Sequence, residues 1–319
     1  MSVQFESFAD SCRPQPQAAP RLGRFVTGLL HAVAGHPVQA SASPLLALLT
    51  VGRLEEAGVV GLGLATTRVV RIEATEPDRV FEELNTSVQS TPGVHEAVMT
   101  RIANEPRPQR SNPSRFIAGG GRWVSLTTPL KHQIGDWHCT DGAQALRSVN
   151  ALRLDDDGVH SAGTDGLGVV ALARLAGWGP DGGAVLRMRG GGGAARSVAH
   201  AWAGAGGRVH LVEGRRPLMP PLLNSDLAAS DEEAVLSVDF DGEGQRLIAR
   251  HRLNPSYQGT AFQAAGSLAA PLIDGRWMLV AQHLEAWRTL WAPELHDALP
   301  SIPELMEDLL AVEALLDGS

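Results

Sequence analysis

The sequence predicts an α/β protein built from two domains, and three observations lead to that fold class. The chain has 319 residues, which is enough for two domains that each bury a core. Its 44% hydrophobic and 19% charged residues are typical of globular proteins rather than of disordered chains. Short apolar strands alternate with helical patterns along most of the chain, which favours sheets covered by helices.

The first half of the chain predicts strands at 32–34, 69–72 and 122–126 and helices at 45–58 and 78–84. Ser43 followed by Pro44 predicts the N-cap and the first position of the first helix. Residues 1–23 are rich in Pro, Gln and Ala and are interpreted as a loose tail. The polar, proline-broken stretch 87–114 is interpreted as an insertion around a short helix at 94–102.

The second half begins with a helical stretch at 167–176 and then reads as strand, glycine loop, helix and strand over 184–212. Short apolar runs at 234–238 and 247–249 predict that a parallel sheet continues. Helical patterns at 278–291 and 302–316 close the chain.

Composition excludes several classes of protein. With 35 acidic against 27 basic residues, a net charge of −8 leaves no basic stripe for nucleic acid. No apolar run approaches the roughly 20 residues that cross a bilayer, so we expect no membrane partner. Glu6 and Asp10 stand where a secretion signal carries positive charge, and Cys12 and Cys139 suit a reducing compartment, so we expect a cytoplasmic protein. Metal-ligand spacings of the H-E-x-x-H or C-x-x-C kind are lacking, so we predict no metal.

Lys131 is the single lysine among 26 arginines. An ammonium can lose its proton whereas a guanidinium stays charged, so a lysine that persists in such a chain suggests acid–base chemistry. It falls in the loop after the strand at 122–126, where side chains are free for chemistry. Asp165, at the start of a helix, is the best-placed carboxylate partner. The alternatives are an accidental survivor of drift toward arginine for Lys131 and a helix cap for Asp165.

A glycine-rich turn after the strand at 184–188 matches the dinucleotide-binding pattern G-x-G-x-x-G/A. Backbone N–H groups at such a turn, together with the following helix N-terminus, face the phosphates of the ligand. A flexible glycine loop is the alternative. The predicted cofactor-binding residues of the turn are Gly190, Gly191, Gly192, Gly193, Ala194 and Ala195.

The end of the next strand bears on the choice between NAD and NADP. Glu213 follows the turn at the distance of about 20 residues expected for an acidic residue that binds a ribose hydroxyl. Arg215 and Arg216 could instead pair with a 2′-phosphate. Because Glu213 occupies the strand end itself and would repel a phosphate, the sequence favours NAD and leaves NADP open.

Six segments carry a resemblance to a known family. They are GHPVQASASP (35–44), SLTTPLK (125–131), SVNAL (148–152), GTDGLG (163–168), GGGGAAR (190–196) and DGRWMLVAQ (274–282). In this order and spacing they resemble motifs of the shikimate/quinate dehydrogenase family, from about Val33 to the last helix.

The resemblance implies roles for individual residues. Lys131 and Asp165 match the catalytic pair, and Ser41 and Ser43 match the serines that bind the substrate carboxylate. The remaining matches are Thr127, Asn150 and Gln282 for the substrate ring, with Gly275 and Met278 beside the nicotinamide. The implied activity is reversible hydride transfer between shikimate and 3-dehydroshikimate with NAD or NADP, as in aromatic amino acid biosynthesis.

The family also implies a domain organisation. Residues 24–164 and 283–319 are expected to form the substrate-binding catalytic domain, to which the C-terminal helices return. Residues 165–282 are expected to form a Rossmann-like dinucleotide-binding domain. A monomer or a homodimer is expected.

Several positions depart from the family pattern. Leu253 stands where a tyrosine is usual, Ser125 replaces an asparagine, and Trp277 replaces a small residue. Ala40, Gly163 and the segment 213–215 differ as well. These departures keep open a quinate- or aminoshikimate-type dehydrogenase and a ligand-binding paralogue without catalysis. A module of a larger assembly that docks through 87–114 is a further alternative.

Overall fold

The computed structural model describes residues 28–86, 93–107, 121–134, 138–139, 141–155, 158–218, 222–242, 246–256 and 267–317. Over these ranges the chain forms a six-stranded and a five-stranded sheet with α-helices packed against them, so the predicted α/β fold class is confirmed. The predicted tail at 1–23 and both ends of the 87–114 stretch lie outside the described residues.

The first sheet has the strand order β2-β1-β3-β5-β6-β4. Its strands are β1 Leu30–Gly35, β2 Arg68–Glu73, β3 Arg122–Leu126, β4 His138–Cys139, β5 Ala151–Asp155 and β6 Gly158–Ala162. β1 pairs in parallel with β2 and β3, whereas β5 runs antiparallel to β3 and β6. The carboxyl ends of β1 and β3 therefore lie side by side, which brings the segments after them together.

The second sheet has the order β11-β10-β9-β7-β8, with every pair parallel. Its strands are β7 Val185–Arg189, β8 Arg208–Val212, β9 Ala234–Asp239, β10 His251–Leu253 and β11 Leu272–Ile273. The strand predicted at 247–249 is wrong, because β10 begins at His251. Ile248 of that apolar triplet is 76% exposed, and residues 251–253 form the ladder with β9 instead.

Seven α-helices occur in the described ranges. They are α1 Ser43–Glu56, α2 Pro77–Asn85, α3 Val94–Asn104, α4 Asp165–Leu175, α5 Gly193–Gly204, α6 Gly275–Ala286 and α7 Ile302–Asp317. The helix predicted at 278–291 begins earlier and changes to a π turn over Trp287–Trp291. The N-cap prediction for Ser43 is wrong, because Ala42 holds the N-cap position and Ser43 is already helical.

Strand β7 of the second sheet places apolar side chains on one face and arginine on the other at its centre. Leu186 and Met188 of β7 are fully buried among the residues of α4 and α5, while the intervening Arg187 points to the opposite face. There its guanidinium donates hydrogen bonds to the backbone oxygens of Ile248 (2.8 Å) and Ser230 (3.0 Å). Parallel sheets covered by helices on both faces have nearly continuous apolar strands. The alternating pattern in β7 instead produces a face that described loop segments cover.

Asp308 of α7 lies at the centre of a buried ion cluster. Its carboxylate is fully buried and accepts hydrogen bonds from Arg53 of α1 (2.7 and 2.8 Å), Arg101 of α3 (2.9 Å) and Arg107 (3.1 Å). The cluster joins the C-terminal helix to α1, beside the first sheet. Because Arg101 is buried there, the α3 part of the 87–114 stretch is integrated into the fold, which argues against a docking segment.

We expect Asp308→Ala to lower the free energy of unfolding by about 3–5 kcal/mol, because it leaves buried guanidinium groups without their carboxylate. Urea unfolding followed by circular dichroism measures the loss. Glu307→Ala is the matched control, since the Glu307 side chain is 67% exposed and lies 3.9 Å from Arg101. An equal loss in both variants would contradict the role of the buried cluster.

Candidate active site

Lys131 and Asp165 form a close ion pair at the junction of the two sheets. Lys131 lies in a short 3-10 turn after β3, and Asp165 is the first residue of α4. Lys131 Nζ and Asp165 Oδ2 are 2.6 Å apart, with 17% of the lysine side chain and 1% of the aspartate side chain exposed. Asp165 does not cap its helix, because Thr164 holds the N-cap position and no side chain bonds there.

Asn150 and Thr164 hold the aspartate in place. Asn150 Nδ2 donates to Asp165 Oδ1 at 3.1 Å, and Asn150 Oδ1 accepts from the backbone N–H of Thr164 at 2.6 Å. The hydroxyl of Thr164 lies 3.0 Å from the backbone oxygen of Gln282, to which it donates. Each carboxylate oxygen of Asp165 thus has a donor, and one network connects the segments that follow β3, precede β5, begin α4 and form α6.

Two glycines of α4 allow this junction to form. A Cβ added to Gly166 would lie 2.1 Å from the backbone oxygen of Ser197 in α5. A Cβ added to Gly168 would lie 2.5 Å from the backbone nitrogen of Gln282 in α6. Both helices therefore contact α4 backbone to backbone, which brings Gln282 and the start of α5 beside Asp165.

A cavity of about 190 Å³ opens beside the ion pair. All seven residues predicted to bind substrate or act on it line this cavity: Ser41, Ser43, Thr127, Lys131, Asn150, Asp165 and Gln282. The hydroxyls of the two serines are 3.2 Å apart. Both serines lie in the segment that follows β1 and are more than nine-tenths buried. Gly275 and Met278, the predicted nicotinamide neighbours, line the same cavity.

A second cleft of about 660 Å³ adjoins the cavity and shares Lys131, Ala194 and Phe240 with it. Its wall includes the predicted residues Gly192, Gly193, Ala194, Ala195, Arg215 and Arg216. Helix α5 begins at Gly193 without a side-chain cap, so the N–H groups of its first turn are available to an anion.

The glycine-rich turn fits a dinucleotide pyrophosphate. Gly190 has φ +119°, a left-handed conformation that favours glycine. A Cβ at Gly191 would lie 2.2 Å from the backbone oxygen of Pro217, so this position also requires glycine. A Cβ at Gly192 would meet no atom within 4 Å, which leaves open space where a phosphate can approach the backbone.

The segment after β8 contacts a carboxylate that the sequence analysis missed. Asp241 follows β9, and its Oδ2 accepts the backbone N–H of Arg215 at 2.7 Å. The carboxyl ends of the parallel strands in one sheet lie at the same edge. The position of Asp241 after the predicted strand at 234–238 was therefore the sequence signal that could have placed it near the glycine turn. Glu213 is exposed and is not among the described residues that line either cleft.

A layer of buried histidines and tryptophans, also unpredicted, lies behind the cavity. His31 Nε2 is 3.0 Å from Ser125 Oγ, and Trp287 Nε1 donates to His283 Nε2 at 3.0 Å. Trp291 packs edge-on against both imidazoles, with centroid distances of 4.9 and 5.3 Å. Burial lowers the pKa of His31 to about 3 and the pKa of His283 well below its usual value. Both rings are therefore neutral near pH 7 and form an uncharged layer.

None of the described helices is both long and apolar enough to cross a membrane. The described ranges hold no cluster of three or more His, Cys, Asp or Glu side chains that could bind a metal ion. The absence of a metal stays a prediction.

Comparison with known proteins finds relatives that bear the name shikimate dehydrogenase. No protein-family profile matches the chain. Over 220 residues it is 27% identical to a shikimate dehydrogenase (NADP(+)) from Acinetobacter baumannii (strain SDF), a match that covers 59% of this chain and 83% of that protein.

Solved structures share the fold. An Ael1 enzyme from Pseudomonas putida superposes with a TM-score of 0.57 at 21% identity, covering 88% of this chain and 97% of that one. Shikimate 5-dehydrogenase from Thermus thermophilus, in complex with shikimate, gives a TM-score of 0.56 at 24% identity, covering 91% and 99%.

Fold and site together define the class of this protein: an α/β protein in which a Rossmann-like sheet and its glycine turn adjoin a second sheet. Within that class, the chain is similar to shikimate dehydrogenases in sequence, and the resemblance predicted from its motifs is confirmed.

We expect the buried histidines to make stability depend on pH. Each folded-state pKa lies below the unfolded value near 6.5, so the unfolded chain binds more protons between these values. Stability is therefore complete above pH about 6.5 and falls on acidification, by about 1.4 kcal/mol per pH unit for each histidine.

Urea unfolding of His31→Gln between pH about 6 and about 5 tests this expectation, because one of the two slopes is removed. Trp123→Phe is the matched control, since it perturbs the same layer without removing a titrating group. If the wild type and His31→Gln have the same slope, the assignment to His31 is wrong.

Proposed function

We propose that the chain is a reversible NAD(P)-dependent dehydrogenase of a hydroxylated ring carboxylate, interconverting shikimate and 3-dehydroshikimate. The observation that carries the proposal is the Lys131–Asp165 pair, 2.6 Å apart, at the wall between a small polar cavity and a glycine-turn cleft. Relatives that bear the name shikimate dehydrogenase support the substrate class. We also propose that residues 24–164 with 283–319 form the catalytic domain and residues 165–282 the dinucleotide-binding domain.

The cavity suits a small ring acid. Its volume of about 190 Å³ is below the roughly 300–1,000 Å³ of pockets for drug-sized ligands. Ser41 and Ser43 offer two adjacent hydroxyls to the substrate carboxylate. Thr127, Asn150 and Gln282 line the same cavity and hold the ring hydroxyls, so the substrate is oriented by short polar side chains.

Lys131 and Asp165 transfer the proton of the substrate hydroxyl. A bound nicotinamide supplies or accepts the hydride. In the oxidation direction the neutral amine form of Lys131 receives the proton of the ring hydroxyl and becomes an ammonium, and in the reduction direction the ammonium form returns that proton to the nascent alkoxide. Asp165 keeps the lysine Nζ aimed at the cavity, and Asn150 keeps Asp165 aimed at the lysine.

For the cofactor we propose NADP in preference to NAD. Arg215 and Arg216 line the cleft beyond the glycine turn, where a 2′-phosphate binds in proteins of this fold. Glu213, the reason for favouring NAD from sequence, is exposed and lies outside the cleft wall described above. The relative from A. baumannii carries NADP(+) in its name, and the preference for NAD has no support.

The ring that reacts is shikimate or a close analogue. Ser125 lines the cavity where the family has asparagine, and Leu253 is buried in place of the usual tyrosine. The displaced tyrosine, Tyr257, lies outside the described residues. A panel of shikimate, quinate and aminoshikimate, followed by the near-ultraviolet absorbance of reduced nicotinamide with both cofactors, tests the proposal. Binding of a ring acid without turnover of any would favour the non-catalytic paralogue.

We expect Lys131→Met to lower turnover by about 10²–10⁴-fold, because the ring hydroxyl loses its proton acceptor. Lys131→Arg keeps the charge, but a guanidinium does not give up its proton near neutral pH and so cannot accept the proton of the ring hydroxyl, and this variant should fail as well. Turnover is read from nicotinamide absorbance, and dinucleotide binding, titrated by fluorescence, should be retained in both variants. Wild-type rates in either variant would defeat the role of Lys131.

We expect Arg216→Ala to weaken NADPH binding by about tenfold and to leave NADH binding nearly unchanged, because a charge-assisted bond to the 2′-phosphate is lost. Glu213→Gln is the matched control and should alter neither affinity. Isothermal titration with both dinucleotides measures these changes. If Glu213→Gln improves NADPH binding while Arg216→Ala has no effect, the cofactor proposal is wrong.

A further inference from the structure

The dinucleotide cleft concentrates positive charge in a chain whose net charge is −8. The cationic or titratable bases on its wall are Lys131, His132, Arg147, Arg196, Arg215 and Arg216. The one carboxylate described on the same wall, Asp241, is engaged by Arg215. Burial lowers the pKa of both His132 and Arg196, and electrostatic repulsion from Arg147 and Arg216 lowers each pKa further.

Arg196 already has partners within the protein. Its guanidinium donates to the backbone oxygens of Leu146 (2.6 Å), Gly191 (2.8 Å) and Arg147 (2.7 Å). Arg147 differs, because its guanidinium is exposed in the cleft and donates to the backbone oxygen of His132 at 3.4 Å. Within the described ranges, no carboxylate lies within ion-pair distance of Arg147.

Arg147 also occupies an unfavourable backbone conformation. Its φ is +51°, and every other residue with positive φ in the described ranges is glycine. The loop holds it there through the bond from its N–H to the oxygen of Gln144 at 2.8 Å and through the bond that its own oxygen accepts from Arg196. An arginine at a position that favours glycine suggests that the side chain has a function.

The Arg147 loop lies next to the start of α5, and this position determines which part of a bound dinucleotide Arg147 can reach. A Cβ added to Gly193, the first residue of α5, would lie 3.4 Å from the backbone oxygen of Arg147. The arginine loop therefore packs directly against the uncapped helix start, and both line the cleft that fits a pyrophosphate.

We propose that the exposed guanidinium of Arg147 binds the pyrophosphate of the dinucleotide beside the first turn of α5, so that the phosphates contact both Arg147 and the glycine turn. This inference rests on the proposed function. Arg147 lies in the same loop as Asn150, just before β5, and its guanidinium contacts His132, the neighbour of Lys131. A bound pyrophosphate therefore connects the cofactor to the loops that hold the catalytic pair.

Arg147→Gly separates this role from a structural one, because the two roles predict opposite effects. Glycine relieves the positive φ, so the melting temperature of the free protein should be equal to or above that of the wild type. Loss of a charge-assisted bond should weaken NADPH and NADH by a similar factor of about ten or more, measured by nicotinamide fluorescence without substrate. Arg147→Lys should restore part of the affinity. Arg174→Ala, which removes an exposed arginine of α4 outside both clefts, is the matched control and should bind like the wild type.

The outcomes are distinguishable. If the wild type binds neither dinucleotide, the proposed function fails. If the wild type binds both and Arg147→Gly binds them equally well, only the role of Arg147 is overturned. A loss confined to NADPH would assign Arg147 to the 2′-phosphate and overturn its assignment to the pyrophosphate.

Discussion

The ion pair between Lys131 and Asp165 is the interaction on which the site depends, and it lies where charges are costly to bury. A carboxylate with 1% of its side chain exposed is stable only when its oxygens have donors, and here Lys131 and Asn150 supply them. The pair joins the segment after β3 to the start of α4, and so joins the two sheets. Glycines at 166 and 168 make the junction possible, because any side chain there would separate α4 from its neighbours.

Elsewhere in the described ranges, buried charged and polar side chains also have hydrogen-bond or ion-pair partners. Asp308 is fully buried with three arginines around it, and it anchors the C-terminal helix against α1 and α3. Behind the cavity, two neutral imidazoles pack among tryptophans instead of pairing with charges. The cavity is consequently bordered by uncharged rings on one side, while the ion pair and the serines provide polar groups on the other.

Most of the predicted site residues came together because they follow a strand, directly precede one or begin a helix at the junction of the two sheets. Gln282 is the exception, since it lies within α6 and is brought to the site where α6 packs on Gly168 of α4. Ser41 and Ser43 follow β1, Thr127 and Lys131 follow β3, and motif order along the chain was enough to group them. Asp241, Arg147 and His31 were missed, since their significance depends on neighbours that are distant in sequence. Glu213 had the right spacing but faces solvent, because spacing predicts the end of a strand and not the direction of a side chain.

By itself, the sequence determined the α/β class, most strands and helices, the glycine turn and the order of the motifs, because these depend on local pattern and backbone preference. Its failures were local as well: the strand at 247–249, and Ser43 as an N-cap. Only the tertiary structure decided that Lys131 contacts Asp165 and that arginines line the dinucleotide cleft. Those facts arise from packing between segments far apart in the chain, where distance and burial, rather than residue type, determine what each charge contacts.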